Sequence, residues 1–185
     1  MARISLNPPR TPLYRLAEWY SRRTYGDMLD PGKAVAHNPR VMLSYARYER
    51  SLAHWNRLGA ELKALAVMAS AASIGCSWCM DFGYWENVQC GVDPVKLRDV
   101  PRWRDSDVYT DLERRVMAYA EVMSAEPIAV TDDMVAGLRQ DLDDSQLVEL
   151  TMMVAVENSR SRFNSALGLT SQGFTDRCEV PSGTA

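Results

Sequence analysis

Cys76 and Cys79 flank a Ser-Trp dipeptide, and two thiols at that spacing can close a disulfide. The uncharged stretch before them (ALAVMASAASIG, residues 64–75) has the composition of a helix buried on most sides, and Gly75 is placed to end it. The residues after them (MDFGYWENVQ, 80–89) permit a second helix until Cys90-Gly91-Val92-Asp93-Pro94 breaks it. The pair therefore sits where a new helix begins. Unpaired N–H groups and the helix dipole stabilise a thiolate there and can bring a cysteine pKa from about 8.5 to roughly 3.5 to 7.5.

The titratable groups close by in sequence are Glu61, Asp81, Tyr84 and Glu86. A second cluster comes from the last long helix, expected over residues 144–167. Its apolar face runs Leu147, Leu150, Val154 and then meets Glu157 or Asn158, Ser161 and Ser165, so polar groups occupy positions that the pattern marks as buried. Such groups need partners. Glu157 and Asn158 are thus members of an internal salt-bridge cluster with Arg160 and Arg162, part of a subunit contact, or a proton carrier or orienter beside the cysteines. Trp78, Trp85 and Arg162 are the expected pocket residues, with Tyr84 and Trp103 as further lining. Cys90 and Cys178 stand apart and read as inert small residues, and His54, amid Leu52, Trp55 and Leu58, reads as a packed histidine.

The 185 residues suit one domain with a terminal extension, and a hydrophobic fraction of 46% supports a globular core. A formal net charge of -3 without a basic patch argues against a nucleic-acid or anionic-membrane surface. Serines and a glycine interrupt the uncharged run at 64–80, which favours a buried helix over a membrane span. The start, MARISLNPPR, lacks a secretory core, so a cytoplasmic protein is expected, with thiols reduced unless catalysis oxidises them.

Helix starts recur and no series of alternating strands is present, so the chain is expected to be all-α. Thr11-Pro12 and Asn38-Pro39 open helices running to about positions 24 and 58. Thr110 and Glu113 form a capping box for a helix whose face is Leu112, Val116, Met117, Ala120 and Met123. A shorter helix is expected over 131–142, and Gly168 closes the last one. Residues 91–109 read as one long irregular connection with a helical turn after Asp93-Pro94, and residues 1–10 and 171–185 as loosely held ends. The expected division is an N-terminal helical extension (1–56), a helical core with the cysteine pair (57–170) and a C-terminal tail (171–185).

These features resemble the carboxymuconolactone decarboxylase and alkylhydroperoxidase D-like family. The resemblance covers roughly residues 57–169. It rests on the apolar helix leading into Gly75-Cys76-Ser77-Trp78-Cys79, on Gly91, on the 110–123 helix, and on the final helix with Asn158 and Arg162. It implies an antiparallel helical bundle that oligomerises as dimers, trimers or hexamers. It also implies peroxide reduction by a redox-active disulfide with no other cofactor and no metal, with electrons from a dithiol such as a lipoyl group or a thioredoxin-like protein. The second cysteine of the family usually meets the peroxide, which is Cys79 here. The family's glutamate twelve residues before the first cysteine and histidine four after the second correspond to Ala64 and Gly83, and the frequent histidine between the cysteines corresponds to Trp78. The usual proton relay is missing, and Glu61, one helical turn before Ala64, is the nearest substitute. Lactone chemistry wants a histidine, and His37 and His54 both lie outside the resembling segment. A non-catalytic oligomeric scaffold, a small-molecule pocket and a zinc site with Cys90 or Cys178 fit the same residues less fully.

Overall fold

The computed structural model describes residues 2–178, which are helices joined by turns, with no strand among them. The contacts divide the chain into two compact units.

The first unit runs to Trp55 and includes Ala166–Leu169. It contains α1 (Pro12–Tyr25), α2 (Asp30–Val35) and α3 (Pro39–Leu52). Thr11 Oγ1 accepts from the Tyr14 amide at 3.1 Å, and Asn38 Oδ1 accepts from the Arg40 and Val41 amides at 3.2 and 3.3 Å. Both caps precede a proline whose missing N–H costs nothing in the first turn. The α3 helix stops at Leu52, six residues short of the sequence expectation, and His54 in the following turn is exposed rather than packed. The N-terminal end is tied down, since the Arg3 amide donates to Leu167 O at 2.7 Å and its guanidinium to Ala166 O at 2.9 Å.

The second unit is Asn56–Ser165 with the chain from Thr170 on. It is built from α4 (Ala60–Ile74), α5 (Ser77–Gln89), α6 (Pro94–Asp99), α7 (Asp111–Ser124), α8 (Asp132–Leu138) and α9 (Asp144–Ala166). The α4 helix packs most extensively on α7 and next on α5. Leu65, Ala66, Val116, Met117, Ala120, Leu150 and Val154 form the centre of the core. The capping box at Thr110 and Glu113 forms as expected. One polar node ties three helices together: the Asn158 amide donates to Ser70 Oγ and Ser124 Oγ at 3.2 and 2.9 Å, the two hydroxyls lie 2.8 Å apart, and Ser124 donates to Ala120 O.

Two expectations are corrected. The 91–109 connection is ordered as α6 and a 3₁₀ segment (Val100–Asp105), because Val92, Leu97, Val100, Trp103 and Tyr109 all bury apolar area in the core. The C-terminal tail is not loose over 171–178, since three of its amides bond to Asp81; residues 179–185 lie outside the described residues. No helix among the described residues is long and apolar enough to cross a membrane.

Candidate functional site

Gly75 ends α4 in the left-handed conformation, φ 81°, which a side chain would disfavour. The next residue, Cys76, is the N-cap of α5, and its sulfur accepts from the Cys79 amide at 3.2 Å. Cys79 occupies the first turn. The two are joined as a disulfide with Cα atoms 5.3 Å apart, a normal span for such a bond. Cys76 and Cys79 are 2% and 7% exposed.

The α9 helix supplies the polar wall. Leu150, Val154, Glu157, Ser161 and Asn164 follow one another at alternating spacings of four and three, so they form one stripe on the helix. All five are buried, and the stripe changes from apolar to polar on reaching the cysteines. Asn164 Nδ2 lies 3.4 Å from Cys79 Sγ and 3.8 Å from Cys76 Sγ. Ser161 Oγ lies 3.3 Å from Cys79 Sγ and 2.6 Å from Glu157 Oε1. The Arg160 guanidinium is 3.6 Å from Glu157 Oε2 and gives the buried carboxylate a counter-charge. Asn164 Oδ1 is buried and accepts no hydrogen bond in the disulfide state.

Asp81 organises the other side of α5. Its carboxylate accepts from the amides of Gln172, Phe174 and Thr175 at 2.8, 3.1 and 2.8 Å. Burial pushes the Asp81 carboxyl up, but the Thr175 and Phe174 amides and the Ser171 and Thr175 hydroxyls outweigh it and hold the group below the usual carboxylate value. Trp78, between the cysteines, donates its indole N–H to Gln172 Oε1 at 2.8 Å and stacks on Phe82 at 5.0 Å. Phe174 is fully buried against Phe82 and Trp85. The C-terminal strap is thus fixed to the helix that carries the pair.

Among the residues singled out from the sequence, Glu157 reaches Cys79 through Ser161. Asn158, its neighbour, faces Ser70 and Ser124 instead. Glu61 is held by Lys96 at 2.8 Å, Tyr84 is buried in the core 3.5 Å from the Arg98 guanidinium, and Glu86 is exposed. Trp85 joins the aromatic cluster with Trp78, whereas Arg162 is exposed and pairs with Glu126 and Trp103 donates to Glu121 at 2.9 Å. Cys90 is exposed, and burial pushes the half-buried Cys178 thiol up. Among the described residues no group of three or more His, Cys, Asp or Glu is placed to hold a metal. Ser161 was expected as a buried polar position without a site role, and Asn164 was missed; the face expected to continue to Ser165 turns instead to Asn164, leaving Ser165 exposed, and the four-three stripe continued past Glu157 is the signal that finds both residues.

Residues 39–122 match the sequence model of the Carboxymuconolactone decarboxylase family. This begins within the segment assigned to the extension and ends in α7, before the polar wall of α9. The chain is 28% identical over 170 residues to the uncharacterized protein YnjA of Escherichia coli (strain K12), across 91% of this chain and 92% of YnjA. A variant of the debrominase Bmp8 solved with 2,3,4-tribromopyrrole has a TM-score of 0.82 at 16% identity, covering 96% of this chain and 97% of that one. An uncharacterized peroxidase-related protein from Ralstonia eutropha JMP134, described as an alkylhydroperoxidase AhpD core, has a TM-score of 0.80 at 15% identity over 94% of each chain. At those identities the two structures share the fold. The carboxymuconolactone decarboxylase match thus lies in the segment 39–122, and the described residues have the alkylhydroperoxidase D-like helical fold.

Proposed function

We propose that the protein is a thiol-dependent peroxidase, a disulfide oxidoreductase that reduces hydroperoxides through a cycle of Cys76 and Cys79. The observation that carries this reading is the disulfide at the start of α5, with the Asn164 amide donating to Cys79 Sγ and the Ser161 hydroxyl 3.3 Å from it. A thiolate needs donors and a positive dipole end. Cys79 in the first turn has both, and it is the cysteine that meets the peroxide. Cys76 resolves the sulfenic acid and, once bridged, exchanges with an external dithiol of the thioredoxin or lipoyl type. The pair needs no further cofactor, and a cytoplasmic, reducing compartment and a homo-oligomer suit the cycle. The test is peroxide consumption by the reduced full chain with dithiothreitol as electron donor. Turnover abolished by Cys79→Ser is expected; absence of turnover, or full activity in that variant, overturns the reading.

Burial of both sulfurs favours a second reading, in which the bond is structural within a catalytically diverged scaffold. That reading expects the native disulfide to resist dithiothreitol and to open only on unfolding.

A further inference from the structure

We propose that Glu157 and Ser161 are the proton relay of Cys79, with Glu157 as the base and the Ser161 hydroxyl as the group that passes the proton. The inference rests on the thiol cycle above. It supplies what Ala64 and Gly83 leave out, from a different helix.

The atoms are in line for it. Ser161 has one hydroxyl hydrogen and two acceptors, Glu157 Oε1 at 2.6 Å and Cys79 Sγ at 3.3 Å. In the disulfide state the shorter contact to the carboxylate holds the hydrogen. After reduction, the Cys79 thiol donates to Ser161 Oγ while Ser161 donates to Glu157. The thiol proton then moves to Ser161 as the Ser161 proton moves to Glu157, leaving a thiolate and a neutral carboxyl group. The thiolate attacks the outer oxygen of a hydroperoxide, so that an S–O bond forms and the O–O bond breaks. Glu157 returns its proton through Ser161 and the departing alkoxide leaves as an alcohol. Cys76 then attacks the Cys79 sulfur; the S–S bond forms, the S–O bond breaks, and the hydroxide takes the Cys76 proton as water. Two thiols and one hydroperoxide become a disulfide, an alcohol and water, with no other reactant.

The neighbouring charged groups have other commitments. Asp81 is saturated by strap amides, Glu61 is held by Lys96, and Arg160 faces Glu157 as its counter-ion. Burial of Glu157 at 2% exposure keeps bulk water from replacing the relay. Asn164 positions Cys79 through its amide but carries no proton that it can give up.

The experiment isolates Cys79 in a Cys76→Ser background, where serine keeps the helix cap. Thiolate ultraviolet absorbance is titrated, and capture of hydrogen peroxide is timed, in the parent, Ser161→Ala, Glu157→Gln and Glu157→Asp. Ser161→Ala is expected to raise the apparent thiolate pKa and Glu157→Gln to lower it by removing a nearby negative charge, while both slow capture near neutral pH by about 10²-fold, with Glu157→Asp recovering part of the rate. Titrations and rates that match the parent in both folded variants overturn the relay. Ser161→Ala removes one oxygen and favours helix, so it decides the matter alone where Glu157→Gln does not fold. If peroxide is not captured even by the parent, the peroxidase reading fails, and the thiolate titration still decides the relay.

Discussion

A Cβ on Gly83 would stand 2.6 Å from the sulfur of Met68, so α5 and α4 approach there at a distance only glycine allows without repacking. The resemblance of the sequence implies a histidine at this position, and a side chain of that size cannot enter there without displacing Met68. Gly83→His is expected to destabilise the fold by about 1 to 3 kcal/mol or more through overpacking. In Gly83→Ala the same clash opposes a helix-propensity gain of about 1 kcal/mol. Combining Gly83→Ala with Met68→Ala relieves the clash, so denaturant melts of the four proteins should show a double variant more stable than the sum of the singles predicts.

Asn164 is expected to act on the thiolate rather than on the fold alone. Its Nδ2 group donates toward both sulfurs, and a hydrogen bond to an ionised group contributes about 1.5 to 3 kcal/mol. Asn164→Ala should therefore raise the Cys79 thiolate pKa and slow its reaction with small alkylating reagents by about tenfold at one pH. Alkylation rates across pH check it; a parallel loss at all pH values would mean that only packing had changed.

The strap gives a pH prediction. Asp81 titrates lower in the fold than in the open chain, so the stability it contributes is present above the ordinary carboxylate value of about 3.9 and is lost as pH falls through the lower folded value. Acidification over that window should free the Gln172, Phe174 and Thr175 amides and change the fluorescence of Trp78. Asp81→Asn should show at neutral pH the faster exchange of those three amides that the parent shows only in acid. Hydrogen exchange followed by mass spectrometry reads both.

Asn158 serves as the contrasting case. Asn158→Ala removes the donor shared by buried Ser70 and Ser124 and should cost about 1 to 3 kcal/mol of stability. The Cys79 titration should not move, because the node lies on α4, α7 and α9 without touching a sulfur. Thermal melts and thiol titration of the same sample separate the two.

Much of the helical frame was legible because caps are local. Thr11, Asn38, Thr110 and Gly75 each act within a turn of their own position, and all cap as the sequence implies. The 91–109 segment was not, since no cap or period marks a 3₁₀ turn that Trp103 and Tyr109 hold only by burial in the distant core. The strap was hidden for the same reason: Asp81 and Thr175 lie 94 positions apart, and nothing local announces that a carboxylate will collect three amides. At the site the cysteines were evident from spacing. Glu157 was visible as a polar residue on an apolar stripe, but choosing it over its neighbour Asn158 required the helix rotation that the structure supplies.

The central claim is that Cys76 and Cys79 exchange electrons with a hydroperoxide. Its most direct measurement is a single turnover: fully reduced protein, one equivalent of an alkyl hydroperoxide, then thiol counting and peptide mapping. The account predicts loss of two thiols per chain with a new Cys76–Cys79 bond and Cys90 and Cys178 still reduced. Thiols that persist in folded protein after the peroxide is added would contradict it.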